Sequence, residues 1–207
     1  MNKNINIKNI IFDLGGVLID WNPDKVFIKV FEGDKKKMEH FYSEICTQDW
    51  NENQDAGYPI AQATEERVAL FPEFEKEIRM YYDRWDEMLG DQIQGTVDIL
   101  EKFSKSPQYK VVALTNWSHE TFPKALKKFE FLQWFEGILV SGIEKTRKPF
   151  PEIYELTLNR FDLVAEESLF IDDNKRNVEA ARALGIHSIQ FQSSEQLAHE
   201  LNQYTKL

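Results

Sequence analysis

Short apolar runs that alternate with helix-like segments are the feature that most constrains the fold of this chain. From residue 91 onward, four such runs separate segments of helical periodicity, at 110–114, 137–140, 168–171 and 188–191. A further run, 10–12, lies near the start of the chain. Strands that alternate with helices form parallel sheets covered by helices on both faces. We therefore expect an α/β fold.

The segment from residue 21 to residue 90 differs, because it predicts helices only. Its apolar side chains recur at helical spacing in two stripes, Met38, Phe41, Tyr42 and Ile45, and then Phe74, Ile78, Tyr81, Tyr82, Trp85 and Met88. Since the first strand precedes it, the segment is predicted to be a small all-helical domain inserted after strand one. Residues 1–20 and 91–207 then form the core domain, and residues 21–90 form the helical one.

Residues 48–57, inside the helical segment, are polar and rich in turn-forming residues, and they predict a loop. If the helical segment covers a site, this loop is the natural place for substrate contacts. Trp21, Asp49, Trp50 and Asn51 are candidates by position alone.

Composition excludes several classes of function. The 207 residues carry 25 basic and 35 acidic side chains, a net charge of −10, which argues against nucleic-acid binding. The single Cys46 cannot form an internal disulfide or a Cys/His metal cluster, and it is expected in the core. No signal-peptide pattern and no apolar run near 18 residues is present, so we expect a soluble, cytoplasmic protein without membrane contacts.

Polar clusters follow the apolar runs. Asp13 follows the run at 10–12, and Thr115 and Asn116 follow the run at 110–114. Lys148 comes after the run at 137–140, and Asp172 and Asp173 follow the run at 168–171. The carboxyl ends of parallel strands meet at one edge of a sheet, where ligands bind. Each cluster also has a structural explanation, as a turn, a surface charge or a helix N-cap, but all four together at strand ends favour a site.

The residue types at this edge indicate the ligand. Three carboxylates share a pocket cheaply only if a cation neutralises them, and oxygen ligands suit Mg²⁺. Thr115, Lys148 and the backbone N–H groups after Asp13 would hold a dianionic group such as a phosphate. The expected ligands are therefore Mg²⁺ and a small phosphorylated metabolite.

The chain resembles the haloacid dehalogenase superfamily of hydrolases, in the subfamily with a helical cap after the first strand. Four motifs in order carry the resemblance: Phe12-Asp13-Leu14-Gly15-Gly16-Val17, Leu114-Thr115-Asn116, Lys148-Pro149, and Phe170 to Asn177. The resemblance implies a Rossmann-like core with strand order 3-2-1-4-5 and a mobile cap. It also implies a Mg²⁺-dependent phosphatase, similar to sugar-phosphate phosphatases, that forms an aspartyl-phosphate.

The resemblance also implies roles for individual residues. Asp13 would be the nucleophile, Thr115 would bind the transferring group, and Lys148 would balance charge. The metal ligands would be Asp13, the Gly15 carbonyl, Asp172 and Asp173, with Asp173 the direct ligand of the last two. The predicted substrate-binding residues are Leu14, Gly15, Asn116, Trp21, Asp49 and Trp50.

Gly15 departs from the family pattern, because phosphatases of this family usually carry a second Asp there as general acid and base. We therefore expect rates that depend steeply on the leaving group. Asp20 and Asp49 are candidate proton donors that nothing in the sequence places at the leaving oxygen. Gly15 also fits a 2-haloacid dehalogenase, which needs no metal, but the acid pair at 172–173 favours the phosphatase. A non-catalytic protein that binds a phosphorylated ligand is the third hypothesis.

Overall fold

The computed structural model describes residues 6–205. The strands in this range are β1 (Asn9–Phe12), β2 (Ile19–Trp21), β3 (Leu89–Gln92), β4 (Lys110–Thr115), β5 (Gly137–Val140), β6 (Ser168–Asp172) and β7 (His187–Gln190). The α-helices before β4 are α1 (Asp24–Val30), α2 (Lys35–His40), α3 (Gln48–Asp55), α4 (Ile60–Leu70), α5 (Glu75–Asp83), α6 (Trp85–Met88) and α7 (Gln94–Ser104). Those after β4 are α8 (Phe122–Lys128), α9 (Ser141–Glu144), α10 (Pro151–Arg160), α11 (Lys175–Ala183) and α12 (Ser194–Leu201).

Within the described range, β5, β4, β1, β6 and β7 form a parallel sheet in that spatial order. Numbered along the chain, these strands have the order 3-2-1-4-5, so the expected α/β fold and strand order are confirmed. β1 is central and pairs with β4 on one side and β6 on the other. Because all strands run in the same direction, the residues that follow β1, β4 and β6 lie at one edge.

The sheet is buried on both faces, which explains why its strands are continuous apolar runs. Side chains alternate along β1, so that Ile10 and Phe12 pack on one face and Ile11 on the other. The first face is covered by α7, α8 and α12, and the second by α10 and α11. This rigid sheet fixes the position of every side chain at its carboxyl edge.

The segment between β2 and β3 forms a hydrophobic cluster of its own, in which Phe27, Phe41, Trp50, Ile78 and Tyr81 are buried. The expectation that 21–90 contains helices only is wrong at its ends. Trp21 and Leu89 pair in the antiparallel two-stranded sheet of β2 and β3. These two strands are the places where the chain enters and leaves the helical segment. These strands were missed because each has only three or four residues, too few to show a period. The division into core and cap domains itself stays a prediction.

The prediction of a loop at residues 48–57 is also wrong, because most of this stretch is α3. The Thr47 side chain accepts a hydrogen bond from the backbone N–H of Trp50 and caps the helix. Trp50 is the one large apolar residue of α3, and it packs into the cluster of the helical segment. A helix with so small an apolar face lacks the periodicity that identifies helices in a sequence.

Candidate active site

Asp13 directly follows β1, and its carboxylate is almost fully buried. The backbone N–H of Leu14 donates to Asp13 Oδ1 over 2.7 Å. The chain then turns at Gly16, which has a φ of +75° and lies so close to Asp173 that an added Cβ would sit 2.5 Å from Oδ2. Only glycine fits at this position. The turn therefore places Asp13 and Asp173 side by side.

Lys148 joins the strand ends. Its Nζ lies 2.9 Å from Asp13 Oδ1 and 2.7 Å from Asp172 Oδ2, and it donates to the Leu114 carbonyl over 3.0 Å. The ammonium thus contacts groups from β1, β4 and β6. Burial alone would lower the pKa of Lys148, but Asp13 and Asp172 outweigh it and raise that pKa. Lys148 is therefore a permanent positive charge beneath the sheet edge.

Asp172 is held by hydrogen bonds on both oxygens. Oδ1 accepts from the backbone N–H of Asn174 over 2.8 Å, and the Asn177 amide reaches both oxygens at 3.1 Å. Asp173 is exposed, so it faces the open side of the edge. This difference suits Asp172 to orienting Lys148 and Asp173 to direct binding of a cation.

Oxygens of Asp13, Asp172 and Asp173 lie within 4.8 Å of one another. Burial raises the pKa of Asp13 well above its usual range, Lys148 opposes this, and the neighbouring carboxylates add to it. One ammonium against three carboxylates leaves a negative excess that a divalent cation would neutralise. Carboxylate oxygens are the ligands that Mg²⁺ prefers, so the residues present fit this ion.

Thr115 and Asn116, at the end of β4, have different surroundings. The Thr115 hydroxyl is buried and has no hydrogen-bond partner among residues 6–205. A buried hydroxyl without a partner is costly, which indicates a ligand atom at this place. The Asn116 amide accepts from the Lys148 N–H and donates to the Lys148 carbonyl, both over 2.9 Å. Asn116 therefore positions Lys148, and its role in substrate binding stays a prediction.

A cavity of about 520 Å³ opens over this edge, and the helical segment forms its opposite wall. Its lining residues from the sheet edge are Asp13, Gly15, Gly16, Asn116, Trp117, Lys148, Asp173, Asn174 and Asn177. Those from residues 21–85 are Trp21, Pro23, Tyr42, Cys46, Gln48, Asn51, Glu52, Asp55, Tyr81 and Trp85. Amide, acidic and aromatic groups thus face the carboxylate cluster.

Three predicted substrate-binding residues are corrected by the structure. Asp49 is exposed and Trp50 is buried in the helical cluster, and neither lines the cavity. The Leu14 side chain is fully buried in the core and its N–H is bound to Asp13, so it orients that carboxylate instead. Trp21 and Gly15 do line the cavity. Their roles, and those of the catalytic and metal residues, stay predictions.

Sequence reasoning offered Asn51 by position, but it missed Gln48, Glu52 and Asp55, which lie on the same face of α3. Gln48, Asn51, Glu52 and Asp55 line the cavity at the spacing i, i+3, i+4, i+7. Recognising Thr47 as an N-cap would have revealed this polar face. Asp49 and Trp50 are candidates by their position in a predicted loop, but the helix that forms there turns both away from the cavity.

Glu52 connects α3 to the elements of the sheet edge. It is buried and lies 2.6 Å from Arg147 and 2.6 Å from Arg176. Arg147 immediately precedes Lys148, and Arg176 lies in the first turn of α11. The cavity wall is therefore fixed to the chain next to the catalytic lysine candidate and to the helix that follows the acid pair.

The structure is thus a doubly wound parallel sheet with an acidic cluster at its carboxyl edge, a class of fold that binds ligands at that edge. The sequence profile of the haloacid dehalogenase-like hydrolases matches residues 10–191, and the chain belongs to that family. It is 29% identical over 185 residues to a phosphorylated carbohydrates phosphatase of Thermotoga maritima, which covers 87% of this chain and 82% of the relative. It is 24% identical over 205 residues to a D-ribitol-5-phosphate phosphatase of Bacteroides thetaiotaomicron, which covers 94% and 97% of the two chains.

A solved structure has the same architecture along nearly its whole length. It is a haloacid dehalogenase family enzyme of Bacteroides thetaiotaomicron in complex with magnesium and inorganic phosphate. Its TM-score is 0.69 at 25% identity, over 94% of this chain and 99% of that one. Among residues 6–205 of the present structure, no helix has the length and apolar character needed to cross a membrane.

Proposed function

We propose that this protein is a Mg²⁺-dependent phosphomonoesterase that acts on a small phosphorylated metabolite through an aspartyl-phosphate. The observation that carries the proposal is the position of Lys148, whose Nζ contacts both Asp13 and Asp172 and the carbonyl that precedes Thr115. It places a fixed positive charge between a nucleophile candidate, an acid pair and an unpaired hydroxyl. In this proposal Lys148 and Thr115 bind a tetrahedral phosphate dianion, and Asp13 attacks it.

The chemistry of the first step follows from the hydrogen bonds of Asp13. Leu14 N–H and Lys148 hold one oxygen of its carboxylate, Oδ1, which leaves Oδ2 to attack phosphorus in line. Lys148 offsets the charge that builds on the phosphoryl oxygens, and Thr115 donates its hydroxyl to one of them. Water then attacks the aspartyl-phosphate and releases inorganic phosphate, which restores Asp13.

The metal site in this proposal consists of Asp13, Asp173 and the Gly15 carbonyl. Asp172 lies beside this site and orients Lys148. Mg²⁺ bound there would lower the repulsion between the phosphate and the nucleophile and would stabilise charge in the transition state. The structural relative in complex with magnesium and inorganic phosphate supports the use of Mg²⁺ by this protein.

The cavity supports a small and polar substrate. Its volume of about 520 Å³ suits a metabolite, and its outer wall offers the amides of Gln48 and Asn51 beside the indoles of Trp21 and Trp85. The names of the two phosphatase relatives point to phosphorylated carbohydrates and polyols. In this proposal residues 21–90 are the cap that excludes water, and residues 1–20 and 91–207 are the core.

The other candidate function, 2-haloacid dehalogenation, is favoured only by Gly15. It would use Asp13 to displace halide from carbon and would need no metal. A metal-free reaction would leave Lys148 as the cation that faces three acids, Asp13, Asp172 and Asp173. Their oxygens lie within 4.8 Å of one another, so one ammonium group would not offset their repulsion. The acidic cluster therefore favours phosphoryl transfer.

A screen of phosphorylated metabolites and 2-haloacids, with Mg²⁺ and with EDTA, tests the proposal. We expect phosphate release that EDTA abolishes, Mg²⁺ restores and Ca²⁺ inhibits, because Ca²⁺ prefers longer bonds and more ligands. Asp13→Asn should abolish release while the protein stays folded, and Asp173→Ala should weaken Mg²⁺ binding more than Asp172→Ala. Halide release from 2-chloropropionate without metal would instead establish the dehalogenase, and phosphate binding without turnover would establish a binding protein.

A further inference from the structure

The active site described above lacks a proton donor at position 15. As the bond from phosphorus to the ester oxygen breaks, that oxygen gains negative charge, and a glycine cannot protonate it. The structure shows which other groups face the same cavity. Apart from Asp13, Lys148 and Asp173, the side chains of this wall that can hold a proton are Tyr42, Cys46, Glu52, Asp55 and Tyr81.

Four of these five groups are poorly suited to proton transfer near neutral pH. Glu52 forms ion pairs with two arginines, so both of its carboxylate oxygens are already engaged by cations. Burial raises the pKa of Cys46 to about 12, and it raises the pKa of Tyr42 and of Tyr81 above their usual range. A proton donor works best when its pKa lies near the working pH, so these groups hold their protons too tightly.

Asp55 is the last residue of α3 and lies on the face of this helix that lines the cavity. One carboxylate oxygen accepts from the Ser118 N–H over 3.1 Å, and the other accepts from the Asn51 amide over 3.1 Å. The backbone carbonyl of Asp55 accepts from the Ser141 hydroxyl, so the helix end is docked on the loops that follow β4 and β5. Ser118 lies three residues after Thr115, the predicted phosphate ligand.

In the described part of the chain, Asp55 has no direct ion-pair partner. Within residues 6–205, no lysine, arginine or histidine nitrogen forms an ion pair with its carboxylate, in contrast to Glu52 one turn earlier on the same face. The two acids on the cavity face of α3, Glu52 and Asp55, thus differ in the groups that contact them. Glu52 is paired with two arginines, whereas Asp55 accepts hydrogen bonds from two neutral donors only, which leaves its carboxyl group free to gain and lose a proton.

We propose that Asp55 is the general acid and base of the phosphatase reaction, in place of the aspartate that is absent at position 15. This inference rests on the proposed function. In the first step Asp13 Oδ2 bonds to phosphorus, the bond to the ester oxygen breaks, and the proton of Asp55 passes to that oxygen. In the second step Asp55 takes a proton from the attacking water, the bond from phosphorus to Asp13 breaks, and inorganic phosphate leaves.

The charges around Asp55 agree with this role. Burial raises its pKa to about 7, with Glu52 adding to the increase, while the Ser118 N–H and the charges of Arg147 and Lys148 oppose it. The α5 side chains that face it, Tyr81 and Tyr82, have pKa values raised by burial and are neutral. The carboxyl group thus titrates near neutrality, where one group can both give and accept a proton.

The test compares Asp55→Asn with the unmodified protein on p-nitrophenyl phosphate and on glycerol 3-phosphate, with Mg²⁺. The value of kcat/KM is used because it reports only the steps up to departure of the alcohol. We expect it to fall by about 10²–10⁴-fold for glycerol 3-phosphate, whose leaving oxygen needs a proton. For p-nitrophenyl phosphate, whose leaving group is a stable anion, the loss should stay below about tenfold.

Asp83→Asn, an exposed change at the end of α5 outside the cavity, is the matched control and should leave both values unchanged. The pH profile gives a second readout. With glycerol 3-phosphate, kcat/KM of the unmodified protein should fall as pH rises through the pKa of Asp55, and Asp55→Asn should lose that basic limb. Equal losses on the two substrates, or an unchanged basic limb, would overturn the proposal and leave Asp55 a structural residue.

The outcome for Asp55 and the outcome for the proposed function remain distinguishable. If the unmodified protein releases phosphate from neither compound nor from any metabolite in the screen, the phosphatase assignment itself fails. If the unmodified protein and Asp55→Asn show the same ratio of rates on the two substrates, the phosphatase assignment stands and the role of Asp55 fails. With Asp55 as the donor, the rates of the unmodified protein should depend only weakly on the leaving group, which replaces the steep dependence expected from Gly15 alone.

Discussion

At the scale of single residues, the two neighbouring glycines of the first turn have opposite requirements. A Cβ at Gly15 would meet no atom within 4 Å, and its φ is not in the left-handed region, so the position accepts a side chain. Gly16 has a φ of +75° and would place a Cβ against the Asp173 carboxylate. The absence of an acid at position 15 is therefore not imposed by the backbone.

The glycine pair yields a prediction with an internal control. Gly15→Asp should fold with unchanged thermal stability, and in the Asp55→Asn background it should recover part of the activity on glycerol 3-phosphate. Gly16→Ala should weaken Mg²⁺ binding and lower stability by about 1 kcal/mol or more, because alanine is strained at positive φ. Calorimetric titration with Mg²⁺ and thermal melting measure these effects. Equal behaviour of the two variants would contradict the geometry of this turn.

Two other residues that the sequence offered as proton donors are excluded by their surroundings. Asp20 forms an ion pair with Lys25 at 2.5 Å and does not line the cavity. Asp49 is exposed on the far side of α3. Both candidates were chosen for nearness in sequence to the site, whereas proton transfer depends on nearness in space.

At the scale of elements, α3 is the part of the helical segment that completes the site. Its N-terminal half packs through Trp50 against Tyr81 and Tyr82, and its C-terminal end docks on the loops of the sheet edge. Glu52 supports this docking through its pairs with Arg147 and Arg176. The helix can therefore hold Asp55 in place only while these contacts persist.

Removing the charge of Glu52 tests the docking of α3. Glu52→Gln should lower the free energy of unfolding by about 1.5–3 kcal/mol, since it weakens hydrogen bonds to two charged groups at a buried position. It should also lower kcat/KM for good and poor leaving groups alike, because Asp55 and the cavity wall shift together. Denaturant unfolding and the two-substrate assay measure this, with the exposed Glu44→Gln as control. A selective loss on glycerol 3-phosphate would mean that Glu52, not Asp55, handles the proton.

At the scale of the whole molecule, the raised pKa of Asp55 makes stability depend on pH. The pKa of Asp55 is about 7 in the folded protein against an ordinary value of 3.8. Between these values the unfolded chain has lost the proton that the folded protein retains, so the unfolded state gains relative stability as pH rises. The contribution of Asp55 is full below the ordinary value and is lost by the time pH exceeds the folded value.

Thermal or denaturant unfolding at pH 5 and pH 8 checks this effect independently of catalysis. From pH 5 to pH 8 the unmodified protein should lose more stability than Asp55→Asn, by on the order of 2 kcal/mol. Asp13 also has a raised pKa, but it is present in both proteins and its effect cancels in the comparison. A parallel pH dependence in the two proteins would show that Asp55 is ionised throughout this range.

The sequence by itself determined the sheet and the residues at its edge. Each buried strand is a local apolar run, and Asp13, Thr115 and Asp172 stand at or directly after the ends of such runs. Parallel pairing then brings these ends together whatever the remaining chain does, so local signals were sufficient. Lys148 was also found in the sequence as a cluster after the third run, but it follows no strand directly and its position depends on Asn116.

Only the tertiary structure decided which residues of the helical segment face that edge. The polar face of α3 leaves no apolar period in the sequence, and its orientation depends on contacts of Glu52 with Arg147 and Arg176, about 95 and 124 residues away. The raised pKa of Asp55 is a consequence of burial between two parts of the chain, not of its neighbours in sequence. Chemistry that depends on desolvation is set by what packs around a group, and that is fixed only when the chain has folded.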